Sequence, residues 1–359
     1  MSDPCTLRIL ELDGGGQRGY LSLSFLIKFV QLWGINPAEI WKYFDVICGT
    51  SVGGLLALGL ATGKDPNNLT SFFTDTSQLV FSTNGVRSNQ ATTLEKLASI
   101  GITGVPFYAT NPATPYGSAL LVSEVQTLFG ANTMQSLLTN VIVPTYKVEL
   151  KAETTDISTG TYTLCSNVNY PDFDGQDELI SNVALSTSAA PFYLPSLALT
   201  NASPNTLNGR YIDGGVYQNN PASFGRTLAT MLKPNATRCC VLSLGTGLGE
   251  MGFDDPTASL LSSLAVDVDP IISVSNLFAL FGIASTGGQE SISKALGLES
   301  TYTLNQLFNY RFQPTLDMNL DTELDNTTNA INTYYENLAT QVFNDDIDAI
   351  TEFLGHLTA

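Results

Sequence analysis

With 359 residues, 43% of them hydrophobic and 13% charged, the chain can bury a sizeable core as one large α/β domain or two smaller ones. A net charge of −18 excludes nucleic acid as a partner, since phosphates would be repelled, and disfavours simple electrostatic docking on anionic membranes. His356, the one histidine, excludes any multi-histidine metal centre, and no metal or other cofactor is expected.

The opening MSDPCTLRILELDGGG has neither a basic segment nor a long apolar one, so no secretory leader is read there. Apolar stretches such as 277–283 are too short to span a bilayer. Cys5, Cys48, Cys165, Cys239 and Cys240 are scattered, and three of them sit in apolar runs, which favours a reducing compartment. A cytoplasmic, soluble protein, peripheral to membranes at most, is the expectation. Sequons at Asn68, Asn201, Asn235 and Asn326 add little without a secretory route.

Thr6–Leu12 (TLRILEL) reads as a strand running into Asp13-Gly14-Gly15-Gly16-Gln17-Arg18-Gly19, and residues 20–32 continue at helical spacing. The loop has two readings. Gly14-x-Gly16-x-x-Gly19 matches the dinucleotide fingerprint, with Glu39 twenty residues on, yet Gly34-Ile35-Asn36-Pro37 precedes that acid, which therefore ends no strand. Alternatively, unhindered glycine amides point at a developing oxyanion, with Arg18 as a fixed cation for it or for a phosphate.

Residues 44–60, FDVICGTSVGGLLALGL, give a short buried strand, a tight turn and a buried helix. That context gives Gly49-x-Ser51-x-Gly53 a mechanism: the glycines remove Cβ atoms where strand and helix nearly touch, and Ser51 is held at the tip as a nucleophile. Asp65-Pro66 caps and opens a helix to about residue 81. Residues 82–117, rich in Gly and Pro, read as a long loop of the kind that forms a rim or lid. Short helices are expected at 121–129 and 133–138, and strands at 141–149 and 161–165 joined by a turn at Ser158-Thr159-Gly160. A helix over 177–189 ends at APFYLP.

A strand at 209–212 delivers Asp213-Gly214-Gly215, where the acid is either a turn aspartate or a catalytic carboxylate at a strand end. Arg238–Leu244 is a further core strand. Residues 251–300 are apolar and helical in pattern, with 271–284 either core or lipid-facing; 301–312 read as a strand and 324–344 as one long amphipathic helix. No repeat or linker divides the chain. It reads as a single domain, with a catalytic core of about 6–250 and residues 251–359 packed on it.

In the order and spacing of DGGGQRG, GTSVGG and DGG, the chain resembles the patatin-like phospholipases. The likeness continues through LSTSAAPFYLP, LSLGTG and NYRFQPTLD, the last segments looking most like plant patatins. The resemblance implies an α/β three-layer fold, a central and mostly parallel sheet between helices. It also implies a lipid acyl hydrolase of phospholipase A or lysophospholipase type. Ser51 would be the nucleophile and Asp213 its base. The amides of Gly14, Gly15 and Gly16 would form the oxyanion hole beside Arg18, with Gly49 and Gly53 framing the elbow. The implied partners are a phospholipid or other acyl lipid and, transiently, a membrane or micelle surface; any activating protein stays unidentified. A catalytically silent lipid-binding protein on the same fold is the alternative.

The chemistry is consistent on its own terms. A serine hydroxyl needs an adjacent base, and an ordinary aspartate with a pKa of about 3.9 is a poor one until burial raises it. Ser51, Asp213 and His356 also follow the chain order of a Ser-Asp-His triad. His356 lies four residues from a chain end expected to fray, which favours a Ser51–Asp213 dyad.

Overall fold

The computed structural model describes residues 5–82, 119–150, 157–248 and 306–359, apart from 192, 202, 318, 321 and 323. The runs of β-branched and apolar residues become strands of one sheet: β1 (Thr6–Leu12), β2 (Val46–Gly49), β3 (Asn140–Leu150), β4 (Ile157–Ser166), β5 (Leu197–Thr200), β6 (Asn208–Asp213), β7 (Arg238–Leu244) and β8 (Gln306–Phe312). Their order is β5-β6-β3-β2-β1-β7-β8, with β4 on β3. The pairs β3–β2, β2–β1, β1–β7 and β7–β8 are parallel, and β4, β5 and β6 are joined antiparallel.

Strand alternation divides the core between two faces. Leu10, Leu12, Ile47 and Leu242 enter the larger cluster, beneath α1 (Gly19–Trp33) and α2 (Val52–Ala61). Ile9, Cys48 and Val241 enter the smaller one with Leu228 and Ala229. These last two belong to a helix, Ala222–Leu232, on the opposite face. These strands are covered on both sides, so apolar residues dominate TLRILEL and RCCVLSL, and the buried polar pair Glu11 and Ser243 hydrogen-bond to each other.

Several expectations shift. The strand read at 161–165 is longer, and Thr159 and Gly160 pair with Glu149 and Val148, so no turn lies at Ser158-Thr159-Gly160. The glycine there marks a close approach: a Cβ on Gly160 would sit 2.2 Å from the Tyr146 ring across the ladder. The helix expected at 133–138 is a single 3-10 turn, Met134–Ser136, and that at 177–189 contracts to Ile180–Thr187. The helix expected at 324–344 is a single helix that begins five residues later. Asn329–Asp345 starts where Thr328 accepts the Ile331 amide, and Ile347–Thr358 follows as a helix the sequence reading missed. The expectations for 82–117, 251–300 (with 271–284) and 301–305 fall outside the described residues.

Candidate active site

Between the end of β2 at Gly49 and the start of α2 at Val52, only Thr50 and Ser51 turn the chain. Ser51 takes φ 57° and ψ −127°, a strained conformation that persists only where the surroundings enforce it. A Cβ on Gly49 would lie 2.2 Å from the Gly53 carbonyl oxygen, and one on Gly53 would lie 2.2 Å from that of Leu12. The Thr50 hydroxyl donates to the Gln218 carbonyl, and the Ser51 amide donates to Thr187 Oγ1 at 2.9 Å. Thr187 in turn donates to the Pro144 carbonyl, anchoring the elbow to β3.

Asp213 arrives from the other direction. β4 fills one edge of β3 from Ile142 to Leu150, so β2, paired at 140–142, and β6, paired at 145–148, share the other edge. One is parallel to β3 and the other antiparallel. Their C-terminal ends therefore face each other across residues 143 and 144, three residue steps or about 10 Å at strand rise. Ser51 and Asp213 meet in that gap, end to end rather than on strands lying side by side. The Ser51 hydroxyl donates to the Asp213 carboxylate, and the Gly215 amide donates to its Oδ1 at 2.7 Å. Asp213 is 2% exposed. Burial lifts its pKa to about 7, outweighing the two hydrogen bonds that favour the charged form.

The glycine loop is packed from both sides. The Gly14 carbonyl accepts from Asn219 Nδ2 at 3.1 Å and Thr246 Oγ1 at 2.9 Å, and its amide donates to the Asn219 carbonyl at 3.2 Å. The amides of Gly15 and Gly16 have no acceptor among the described residues. A side chain at Gly15 would strike Thr246, and Gly16 combines φ 54° with the Leu324 carbonyl 2.4 Å from its Cβ position. Beneath the loop, Arg311 from β8 holds Asp13 with both terminal nitrogens and reaches Glu11 at 3.4 Å. Burial, then the Asp13 charge, push the Glu11 carboxyl well above its ordinary pKa.

Arg18 stands beside the loop with a buried Nε that has no hydrogen-bond partner. No carboxylate pairs with it among the described residues, and desolvation lowers its pKa, the Tyr335 and Tyr193 hydroxyls opposing. Ser51, Asp213, Gly15, Gly16 and Arg18 line one pocket. Its walls continue through Leu55, Phe72, Phe73, Val80 and Leu121, all apolar.

Two sequence candidates lie elsewhere. Glu39 sits in a 3-10 stretch, Pro37–Tyr43, paired with Lys42 and remote from any strand end, so the dinucleotide pattern is not completed. His356 belongs to the ordered last helix, its ring stacked on Phe308 at 3.7 Å and its carbonyl accepting from Arg238. Arg238 opens β7, whereas the elbow lies past the closing end of the sheet, about 20 Å away along the strand. The positioning roles of Thr187, Asn219, Thr246 and Arg311 were not read from the sequence. The first, third and fourth fall inside LSTSAAPFYLP, LSLGTG and NYRFQPTLD, which was the available signal.

The sequence profile of the patatin-like phospholipase family matches residues 10–224. Among curated relatives, a cGAMP-activated phospholipase of Escherichia coli is 33% identical over 62% of this chain and 56% of its own. One of Vibrio cholerae is 31% identical, over 68% and 65%. Patatin-like protein 1 of Oryza sativa subsp. indica is 29% identical, over 67% and 58%. The chain thus spans between about half and two thirds of these relatives' length. Among solved structures, human GIVD cytosolic phospholipase A2 aligns with 99% of this chain and 60% of its own, at 10% identity and a TM-score of 0.38.

Proposed function

The chain belongs to the patatin-like phospholipase family, and we propose that it is a lipid acyl hydrolase working through Ser51 and Asp213. The observation carrying this reading is a buried aspartate that accepts the serine hydroxyl while two nearby glycine amides have no acceptor among the described residues.

As Ser51 Oγ attacks an ester carbonyl, its proton passes to Asp213, a base tuned near neutrality by burial. The oxyanion settles against the amides of Gly15 and Gly16, and one such donor is worth roughly 3–4 kcal/mol. Gly14, expected as a third donor, spends its amide on Asn219 and serves to position the loop. Asp213 returns the proton to the leaving alkoxide, and an acyl-Ser51 ester remains. Water, deprotonated by the same carboxylate, attacks the acyl ester, and Asp213 hands that proton to Ser51 Oγ as the acyl C–O bond breaks and the fatty acid leaves. Arg18, a cation that no carboxylate pairs among the described residues, suits the phosphate of a phospholipid.

A fluorophosphonate probe, followed by fatty-acid release from a mixed lipid panel, tests this. Both assays are run with and without cGAMP, because two relatives are named for activation by it. Labelling and release by the wild type and neither by Ser51→Ala is expected. Release without dependence on Ser51, or none under either condition, overturns the reading.

A further inference from the structure

The helix that starts at Asp65 is not regular. Pro66–Ser71 (α3) and Ser77–Ser82 (α4) are α-helical, but Phe72–Thr76 between them form a π-turn, in which the Ser77 amide bonds back to the Phe72 carbonyl. One extra residue is thus accommodated, a device that recurs at functional sites. Phe72 and Phe73 open the π-turn and Val80 and Phe81 follow it, and all four line the pocket.

The irregularity is secured from the glycine loop. Gln17, 1% exposed, donates Nε2 to the Phe73 carbonyl at 3.1 Å and to Asn332 Oδ1 at 2.6 Å. Its Oε1 accepts from Ser77 Oγ at 2.6 Å, and Ser77 Oγ also lies 2.7 Å from the Phe73 carbonyl. The carbonyl that an α-helix would give to the Ser77 amide is taken by side chains instead. Without them, the amide of Ser77 could turn back to Phe73 and restore α-geometry. Keeping the extra residue would then rotate the downstream helix by about 100°, one residue of a 3.6-residue turn. Val80 and Phe81 would leave the pocket wall.

We propose that Gln17 is a positioning residue that sets acyl-chain-length preference by holding this π-turn, and so fixing which face of the downstream helix walls the pocket. The proposal rests on the hydrolase reading above. Its substrate class is acyl esters long enough to reach Phe73 and Val80.

The experiment measures kcat/KM for p-nitrophenyl butyrate and decanoate with the wild type, Gln17→Leu and Ser77→Ala, each checked for cooperative melting. Gln17→Leu should lower the decanoate-to-butyrate ratio at least tenfold. Ser77→Ala, a milder loss that also serves if the first variant does not fold, should lower it at least threefold. A ratio unmoved in the folded variants, or equal losses on both esters, overturns the proposal. A wild type no better than Ser51→Ala on either ester would instead remove the hydrolase reading itself.

Discussion

Ser51 donates its hydroxyl hydrogen to Asp213 because two strands, β2 and β6, run towards each other along one edge of β3 and stop short of meeting. Each residue lies just past or at the end of its strand, on a rigid mount, and neither depends on a loop to find the other. A pair held this way should act as a unit.

Replacing Ser51 by Ala should reduce fatty-acid release below about a hundredth of wild type with unchanged melting. Asp213→Asn should cost a similar amount, and the double variant no more than either single one. An active Asp213→Asn enzyme would place the base elsewhere.

The acid limb of kcat/KM should fall with an apparent pKa of about 7, since Asp213 must be ionised to take the proton. The stability consequence has the opposite sense. A folded-state pKa above the ordinary 3.9 means that the folded protein binds this proton more tightly than the unfolded chain. This group therefore favours folding below about pH 4, and stability is lost as the pH rises to 7. Asp213→Asn escapes that loss, which is up to about 4 kcal/mol at 1.36 kcal/mol per pKa unit. Urea denaturation should show the variant more stable than wild type at pH 8 and indistinguishable near pH 4; equal stability at pH 8 would contradict a strained carboxylate.

Arg311→Leu should destabilise by about 3–5 kcal/mol, because it strands the fully buried Asp13 without its cation. Glu11→Gln is the contrasting case. Burial favours the neutral form of Glu11, so the neutral amide should cost less than about 1 kcal/mol, which chemical denaturation at pH 7 would measure.

Arg18→Ala should depress turnover of phospholipids more than that of a neutral p-nitrophenyl ester, as expected for a guanidinium reserved for phosphate. Equal losses on both substrates would assign Arg18 to the oxyanion or to packing against Tyr335.

His356→Ala should leave kcat and the acid limb unmoved between pH 5 and 9, since the imidazole packs on Phe308 towards the starting ends of the strands, away from the elbow. Any effect should appear as lower thermal stability from loss of the stacked ring. A thousandfold fall in turnover by a folded variant would make the histidine the base.

Elements whose causes are local were legible in the residues alone. The apolar runs of β1, β2 and β7 had to be covered on both faces, and Gly49 and Gly53 had to flank a turn too tight for any Cβ. The strand, turn and helix around Ser51 followed from neighbours within ten residues. What only the tertiary structure decided are relationships between distant segments. The sequence allowed Asp213 to be a turn residue or a base, and burial beside Ser51 settled its environment by withholding water from the carboxylate. Three consecutive glycines looked equivalent, yet one amide is spent on Asn219, a partner some two hundred residues away. Gly160 looked like a turn until the Tyr146 ring proved to occupy its missing side chain. The C-terminal end was read as frayed because a short amphipathic helix has no stability alone. Packing of Ile350, Phe353 and Leu357 into the core, and arginines from β1 and β7 on its last carbonyls, give it order.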